Sequence, residues 1–410
     1  MFHDYFVVST IPYYLHDVNS YTELEKKHHS QYFAFRSTIS TDKPISYVIE
    51  NAGEASFPLA WTGSSAFVSR DIHDPNSWTR ALDTSYADGK LTWTTQQSAG
   101  STYFSYFPPY SYERHLDLIQ KCAESEHAII HVLGKSLDGR DIECVKAGSG
   151  ERICWIIHRQ HPGETMAEFY AEGLLTRLLG LDSRGSIDGL VHTVLKQFTF
   201  YVIPNMCPDG SFRGHLRTNA CGANMNREWE STGVPGDDNY YEAPTMERSP
   251  EVFCVLKHMD VTGVDVFLDV HGDEELPFNF LSGAEGCPNW GPRLMHLRGA
   301  FMASYSRANP DMQPYFGYAP DEAGKAKMMI CSNQIGTRFD CLAATLEMPY
   351  KDCMTNPDPK RGWSPARSAK LGSSVLDALN YVFPHLRSEG EFWTALTPTD
   401  AYIVPTPKYK

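Results

Sequence analysis

Four short apolar runs, each followed directly by polar residues, constrain the fold of this chain more than any other feature. The runs cover residues 153–157, 198–203, 264–268 and 342–346. Continuous apolar runs of this length are typical of strands buried on both faces of a sheet. Between the first two runs, residues 165–179 carry apolar side chains at helical spacing, with Thr165 as the expected N-cap. The alternation predicts an α/β domain with a mixed, mainly parallel sheet flanked by helices.

The first 110 or so residues have a different pattern. Runs rich in aromatic and β-branched residues recur at 31–35, 45–49, 91–94 and 102–106. This spacing predicts a small antiparallel β-sandwich, an accessory domain without chemistry of its own. We therefore divide the chain into a β-sandwich domain, an α/β domain and an extended tail, over residues 1–115, 116–388 and 389–410. The sequence leaves open whether the tail packs on the body or mediates assembly.

Charge and cysteine content exclude several classes of protein. The chain has 36 Lys and Arg against 50 Asp and Glu, a net charge of −14. Nucleic acids and anionic membranes bind basic faces, so we expect neither as a partner. No apolar run is long enough to span a membrane, and residues 1–5 do not begin a secretory signal. The ten cysteines are scattered without close pairs, which indicates free thiols in a cytoplasmic protein.

The polar residues after the runs include candidate metal ligands. Open α/β sheets place their sites at the carboxyl ends of strands. The first run leads to His161 and Glu164, three residues apart on a turn that enters a helix, and the third run leads to His271. Two histidines and one glutamate form a common catalytic zinc set, with a fourth position for water. An HxxE pair alone is weak evidence, so the interpretation depends on its neighbours.

The segment 214–229 makes the pattern specific. It reads Gly-His-Leu-Arg-Thr-Asn-Ala-Cys-Gly-Ala-Asn-Met-Asn-Arg-Glu-Trp. The other motifs are an HPGE turn at 161–164, a Cys-Pro-Asp-Gly turn at 207–210, a DxHG motif at 269–272 and a Thr-x-Glu ending at Glu347. In this order the motifs closely resemble those of the zinc metallocarboxypeptidases, specifically the cytosolic carboxypeptidase branch. The likeness covers most of residues 1–385.

The resemblance implies the zinc carboxypeptidase fold, one zinc ion per chain and a peptide hydrolase activity. His161, Glu164 and His271 are then the zinc ligands. Glu347 is then the general base that accepts a proton from water and the acid that returns it to the leaving amine.

The same resemblance implies a substrate clamp made of Arg217, Asn226 and Arg227. The substrate is then the C-terminus of a peptide or protein, whose carboxylate suits the planar fork of arginine. Arg217, near the metal, is also expected to stabilise the oxyanion of the tetrahedral intermediate.

The chain departs from the family pattern at two positions. Cys207 stands where the family has asparagine, so the turn loses one hydrogen-bonding group. Asn224 stands where an aspartate usually orients a zinc-binding histidine, and we expect its amide oxygen to accept an Nδ1–H bond instead. Loss of such a charge typically costs about 10–100-fold in metal affinity or activity. For the tyrosine that secreted members use over the substrate, Tyr315 and Tyr318 are both candidates.

The side chain that is removed depends on charges in the pocket beside the metal. The cytosolic branch includes deglutamylases, and a pocket for glutamate needs a buried cation. The segment 325–339 supplies Lys325, Lys327 and Arg338. Arg338, nine residues before Glu347, is our first candidate, with a surface ion pair to Asp340 or another carboxylate as its alternative. A preference for C-terminal Glu or Asp follows if one of these cations lines the pocket.

Two other functions compete with carboxypeptidase activity. A zinc deacylase of N-acyl amino acids shares the metal set and an Asn-Arg pair, but that group is not known for a leading β-sandwich. A catalytically silent peptide-binding module is the second alternative, because Asn224 removes a charge next to the metal set.

Overall fold

The described residues among the first 105 form two four-stranded sheets. The computed structural model describes residues 9–13, 29–233 and 240–407. The expected absence of a signal at residues 1–5 therefore lies outside the described residues, and so do tail residues 408–410. The strands are β1 (Ser9–Tyr13), β2 (Ala34–Ile39), β3 (Lys43–Ile49), β4 (Phe67–Ser69), β5 (Thr79–Arg80), β6 (Ser85–Ala87), β7 (Lys90–Gln97) and β8 (Gly100–Ser105). Their orders are β1-β3-β7-β6 and β2-β8-β4-β5. Neighbouring strands are antiparallel, except that β1 pairs with β3 in parallel.

Aromatic side chains fill the space between these two sheets. Tyr47 on β3 and Trp93 on β7 stack with ring centroids 5.6 Å apart. Phe104, from β8 of the other sheet, lies 4.4 Å from Tyr47. Large rings of this kind bury about 150–250 Å² each, enough to form a core between short strands. The predicted antiparallel β-sandwich is confirmed.

A seven-stranded sheet forms the centre of the rest of the chain. Its strands are β9 (Ala128–Lys135), β10 (Asp141–Ala147), β11 (Arg152–His158), β12 (Phe198–Ile203), β13 (Val266–Asp273), β14 (Phe280–Ser282) and β15 (Leu342–Pro349). The order is β14-β15-β13-β11-β12-β10-β9, in which β15, β13, β11 and β12 run parallel and β14, β10 and β9 are antiparallel to their neighbours. The predicted mixed, mainly parallel sheet is confirmed.

Helices cover both faces of this sheet. They are α1 (Tyr112–Glu124), α2 (Met166–Leu179), α3 (Gly189–Gln197), α4 (Pro208–Arg213), α5 (Pro250–Thr262), α6 (Pro292–Ala308), α7 (Cys331–Phe339) and α8 (Pro365–Val382). Ile156 of β11 packs in the apolar layer that holds Leu174 of α2, and the next residue, Ile157, packs in the layer that holds Val255 of α5. Within the part of the chain that the structure describes, no helix is long and apolar enough to cross a bilayer.

Two local expectations are wrong. Thr165 does not cap α2 with its side chain, because its hydroxyl donates instead to the Pro108 carbonyl, 2.8 Å away, where the chain leaves the β-sandwich. The helical spacing of Leu116, Ile119 and Cys122 predicts that these side chains share the buried face of α1, but Leu116 is exposed. The helix buries Cys122 together with His115 and Leu118.

The C-terminal tail lies against the α/β body as far as residue 407. Asp400 is buried and accepts hydrogen bonds from Arg307 and Tyr381. Farther on, Thr406 forms a parallel bridge with Phe316. Of the two roles left open for the tail, the described part packs on the body. The division at residues 115 and 388 stays a prediction.

A buried charge network ties α1 to the chain after β11. Nδ1 of His115 lies 2.6 Å from Glu168, whose other oxygen is 2.5 Å from Nη1 of Arg159. Nε of Arg159 donates to the Pro162 carbonyl at 2.8 Å. Burial disfavours the charged imidazole, but Glu168 and Glu143 outweigh it and raise the pKa of His115 to about 9. The network is therefore an imidazolium and a guanidinium sharing one buried carboxylate.

Replacing His115 with Gln should remove a pH-dependent part of the stability. The pKa of the folded state, about 9, lies above the unfolded value of roughly 6.5, so His115 stabilises fully below the lower value and loses its contribution as pH rises through the higher one. The expected loss in His115→Gln is on the order of 3 kcal/mol near pH 6 and much smaller near pH 10. Denaturant titrations of both proteins at these two pH values measure the difference, and an equal difference at both would contradict it.

Candidate metal centre

Three neighbouring strands carry the candidate residues to one edge of the central sheet. His161 and Glu164 follow the carboxyl end of β11. Strand β13 runs farther than its apolar core suggested, so His271 lies inside it, directly opposite Glu347 of β15 in the parallel ladder. Because strand side chains alternate between faces, this pairing turns both side chains to the same side.

The three predicted ligands converge on one point. Nδ1 of His161 lies 2.7 Å from one oxygen of Glu164, and Nδ1 of His271 lies 2.8 Å from the other. The two Nδ1 atoms are 3.1 Å apart. All three side chains are buried and, in the described part of the chain, they form the one group whose donor atoms suit a metal ion.

The outward nitrogen of each histidine has an acceptor. Nε2 of His161 is 3.0 Å from Oδ1 of Asn224, and Nε2 of His271 is 2.8 Å from Oδ2 of Asp269. The expected bond from Asn224 thus exists, but it meets Nε2 and not Nδ1, because both Nδ1 atoms face Glu164. Acceptors of this kind fix the ring orientation and leave the inner nitrogen free to bind a metal. Asp269, two residues before His271, was not assigned this role from the sequence, although the DxHG spacing contains the signal.

Electrostatics in the cluster suit a cation. Burial and Arg217 lower the pKa of His161 to about 3, so its ring is neutral. Burial raises the pKa of Glu164, but the charge of His271 and hydrogen bonds from both histidine rings outweigh it and hold that pKa well below its usual range. Asp269 and Glu164 outweigh burial and raise the pKa of His271, so metal binding there displaces a proton. Two nitrogen donors, one carboxylate and oriented outer nitrogens fit a catalytic zinc ion.

Glu347 faces the same space without being part of the ligand cluster. It is buried, and burial together with Glu164 and Asp273 raises its pKa well above the ordinary value despite the opposing effect of His271. A carboxyl group in this setting is suited to accept and return a proton.

The predicted clamp residues line one cavity of about 610 Å³ with the metal set and Glu347. Nη1 of Arg217 lies 3.5 Å from Nδ1 of His161. Asn226 is held by the Cys331 backbone N–H, which donates to its Oδ1 at 2.9 Å. Nη1 of Arg227 donates to the Asn226 carbonyl at 2.7 Å. The structure therefore gathers all the predicted site residues except Arg338.

Arg338 is a correction. Its guanidinium makes two hydrogen bonds to the carboxylate of Asp260 on α5, at 2.7 and 2.8 Å, and its side chain is 37% exposed. The surface alternative is therefore right, with Asp260 in place of Asp340 as partner, because the last turn of α7 faces α5. Lys325 also lies outside the cavity lining, whereas Lys327 belongs to it.

Of the two candidate tyrosines, Tyr318 lines the cavity and donates to Oδ2 of Asp273, whereas Tyr315 lies outside it. Two other lining residues were missed from the sequence. Phe57 from the β-sandwich and Glu274 after β13 complete this side. Glu274 follows the DxHG motif closely enough to have been noticed. No local pattern marks Phe57, which reaches the cavity only through domain packing.

Cys207 leaves the turn after β12 intact. Its backbone N–H donates a hydrogen bond to Oδ1 of Asn205 at 2.9 Å, and its buried Sγ lies 3.6 Å from the Thr218 carbonyl. Asn205 also donates to Glu168 of the buried network. With cysteine at position 207, the turn therefore has a hydrogen bond to the side chain of Asn205.

Comparison with known proteins agrees with this geometry. Residues 15–107 match the cytosolic carboxypeptidase N-terminal domain, and residues 115–323 match the zinc carboxypeptidase family. An uncharacterized protein of Zymomonas mobilis is 42% identical over 374 residues, which are 90% of this chain and 93% of that protein.

Solved structures extend the similarity to the fold. A metallo-carboxypeptidase from Pseudomonas aeruginosa, in complex with (2-guanidinoethylmercapto)succinic acid, is 35% identical with a TM-score of 0.82 over 92% of this chain and 95% of that chain. One from Burkholderia cenocepacia is 36% identical with a TM-score of 0.82 over 91% and 93%. The chain belongs to the zinc carboxypeptidase family and joins its α/β domain to a cytosolic carboxypeptidase N-terminal domain.

Proposed function

We propose that this protein is a zinc-dependent metallocarboxypeptidase that hydrolyses the C-terminal peptide bond of peptides or proteins. The observation that carries the proposal is the convergence of His161, Glu164 and His271 in a cavity that also holds Glu347 and two arginines. A site with donors, a proton acceptor and carboxylate-binding groups together has the parts that exopeptidase chemistry needs.

In this proposal His161, Glu164 and His271 hold one zinc ion. Zinc in such a site supplies Lewis acidity, which activates water and polarises the scissile carbonyl. Glu347 accepts the proton of the attacking water and delivers it to the nitrogen of the departing residue. Burial raises the pKa of Glu347, which suits a carboxyl group that holds a proton between the two steps.

The clamp residues bind the two negatively charged groups of the substrate, its terminal carboxylate and the oxyanion. Asn226 and Arg227 bind the terminal carboxylate of the substrate, which explains why only the last residue is removed. Arg217 lies next to His161 and donates to the oxyanion that develops on the scissile carbonyl.

We propose a cytoplasmic location. All ten cysteines are free, and eight of them are buried, as expected for a protein kept in a reducing compartment.

The purified protein should contain about one zinc ion per chain, and the His161→Ala, His271→Ala double variant should lose it, because one carboxylate cannot hold the ion alone. Elemental analysis after dialysis against trace zinc measures this. His192→Ala, at an exposed histidine of α3, is the matched control. Unchanged zinc in the double variant would rule out the site.

Asn224→Asp places a charge behind His161 and should bind zinc about 10–100-fold more tightly than the wild type in a competitive chelator titration.

Glu347→Gln should retain zinc and fold but lose turnover by at least about 10²–10⁴-fold, because the amide cannot accept a proton. The assay is mass-spectrometric detection of single residues released from a peptide library, with Glu322→Gln, an exposed glutamate outside the cavity lining, as control. Near-normal turnover in Glu347→Gln would remove this residue from the mechanism.

If the wild type hydrolysed only acetyl-aspartate or succinyl-glutamate, the protein would be a deacylase. Binding of peptides without turnover would make it a silent module.

We further propose a preference for C-terminal Glu or Asp, now through Lys327, which lines the cavity beside Asn333. A cation in the cavity wall attracts a carboxylate side chain, and the preference should be modest because Lys327 is exposed and not the buried cation expected from the sequence. Release of Glu should therefore exceed release of Phe, Leu or Lys from peptides that differ only in the last residue. Lys327→Ala should reduce that preference, and Lys325→Ala, outside the lining, should not. Faster release of Phe or Lys by the wild type would contradict the preference.

A further inference from the structure

A second group of carboxylates lies in the cavity, beyond the metal cluster. Asp273, Glu274 and Glu275 follow His271 and all belong to the cavity lining. The first two are buried, whereas Glu275 is exposed at the rim. Acidic side chains are common on surfaces, so only the buried pair calls for an explanation.

Asp273 is accounted for by its own hydrogen bonds. It accepts from the hydroxyl of Tyr318, and its other oxygen accepts from the backbone N–H groups of Glu275 and Leu276, at 2.8 and 2.5 Å. These bonds close the turn after β13 and fix the tyrosine. Asp273 thus has a structural role in this turn.

Glu274 has no such partners. It is only 8% exposed, yet within the described residues its carboxylate forms no ion pair and no hydrogen bond other than the contact with its own backbone N–H. Burial disfavours an unpaired carboxylate and raises the pKa of Glu274 well above its ordinary value, and buried charged groups are nearly always paired. Because Glu274 lines the cavity, a substrate is in position to supply the missing cation.

Two cations near this turn are engaged elsewhere. Lys351 donates to the Thr62 carbonyl of the β-sandwich at 2.9 Å. Arg217 acts on Glu274 electrostatically, but its guanidinium lies beside His161 and forms no ion pair with Glu274 in the described part of the chain. Neither cation therefore neutralises Glu274 by direct contact.

An aromatic ring lines the same cavity. Phe57 is held in place by Gln31, whose side chain accepts from the Phe57 N–H at 3.0 Å and donates to its carbonyl at 3.3 Å. Gln31 is itself buried. An aromatic ring in the wall of a cavity that also holds a carboxylate adds to the attraction for a cationic side chain.

The location of these groups indicates which part of a substrate they meet. Asn226, proposed to bind the terminal carboxylate, is fixed by Cys331 at the start of α7. Glu274 instead follows Asp273, whose carbonyl accepts from the Tyr350 N–H at 3.2 Å, and Tyr350 stacks on Tyr106 of the β-sandwich. A peptide held by its terminus at Asn226, with its scissile bond at the metal cluster, therefore continues upstream towards Glu274.

We propose that Glu274 and Phe57 form a subsite for a cationic side chain, Lys or Arg, on the substrate residue upstream of the scissile bond. This proposal rests on the proposed carboxypeptidase function for the direction in which the peptide lies. It concerns a different substrate residue from the one released, so it is independent of the preference assigned to Lys327.

The test measures binding and needs no turnover. Zinc-loaded Glu347→Gln protein is titrated by calorimetry with acetylated Ala-Ala-Lys-Ala and Ala-Ala-Gln-Ala, whose blocked amino ends carry no charge. The lysine peptide should bind about 10-fold more tightly, the usual effect of a hydrogen bond between charged groups. Adding Glu274→Gln should reduce that ratio to about two, and adding Phe57→Leu should lower it about threefold. Acetylated Ala-Lys-Ala-Ala tests the next position upstream, and a preference there that requires Glu274 also supports the subsite.

Matched variants and a rate measurement separate the possible outcomes. Adding Glu322→Gln, an exposed glutamate outside the cavity lining, should leave the ratio unchanged, and thermal unfolding checks that each variant is folded. Equal binding of the peptides, or a lysine preference that survives in both Glu274→Gln and Phe57→Leu, would overturn the subsite. If the wild type hydrolyses peptides without a lysine preference, the function stands and the subsite is wrong. If the lysine preference is found but no peptide is cleaved, the subsite stands and the proposed function is wrong.

Discussion

The parallel pairing of β11, β13 and β15 is the constraint on which the site depends. His271 lies directly opposite Glu347 in this ladder, and the turn with His161 leaves β11 at the same edge. Side chains along a strand alternate between faces, so a slip of one residue would turn Glu347 away from the cavity. Apolar layers on both faces of the sheet make such a slip costly, because it would exchange the contents of the two layers.

Paired burial of charge is the second feature that holds the site. Arg159 adopts a left-handed backbone with φ of 56°, which is unfavourable for a residue with a side chain. Its guanidinium compensates by binding the Pro162 carbonyl and Glu168, so the strained turn presents His161 in one position. Glu274 departs from this pattern of pairing, and it does so where the chain meets the substrate cavity.

The β-sandwich is more than an accessory domain. Tyr106 stacks on Tyr350 with ring centroids 4.5 Å apart, and the hydroxyl of Tyr350 donates to the Gly163 carbonyl in the metal-binding turn. Phe57 lines the cavity itself. The domain therefore supports the metal-binding turn and shapes one side of the substrate cavity, although its own sequence carries no catalytic motif.

The sequence by itself determined the central sheet, the sandwich and the residues that gather in the cavity. Apolar runs specify buried strands locally, and His161, Glu164, His271 and Glu347 lie in or just after them. Only the tertiary structure decided which nitrogen of His161 meets Asn224. It alone placed Arg338 on the surface with Asp260 and brought distant residues such as Phe57 and Tyr318 to the cavity. These outcomes depend on side-chain direction and on contacts between segments far apart in the chain, which spacing along a sequence does not encode.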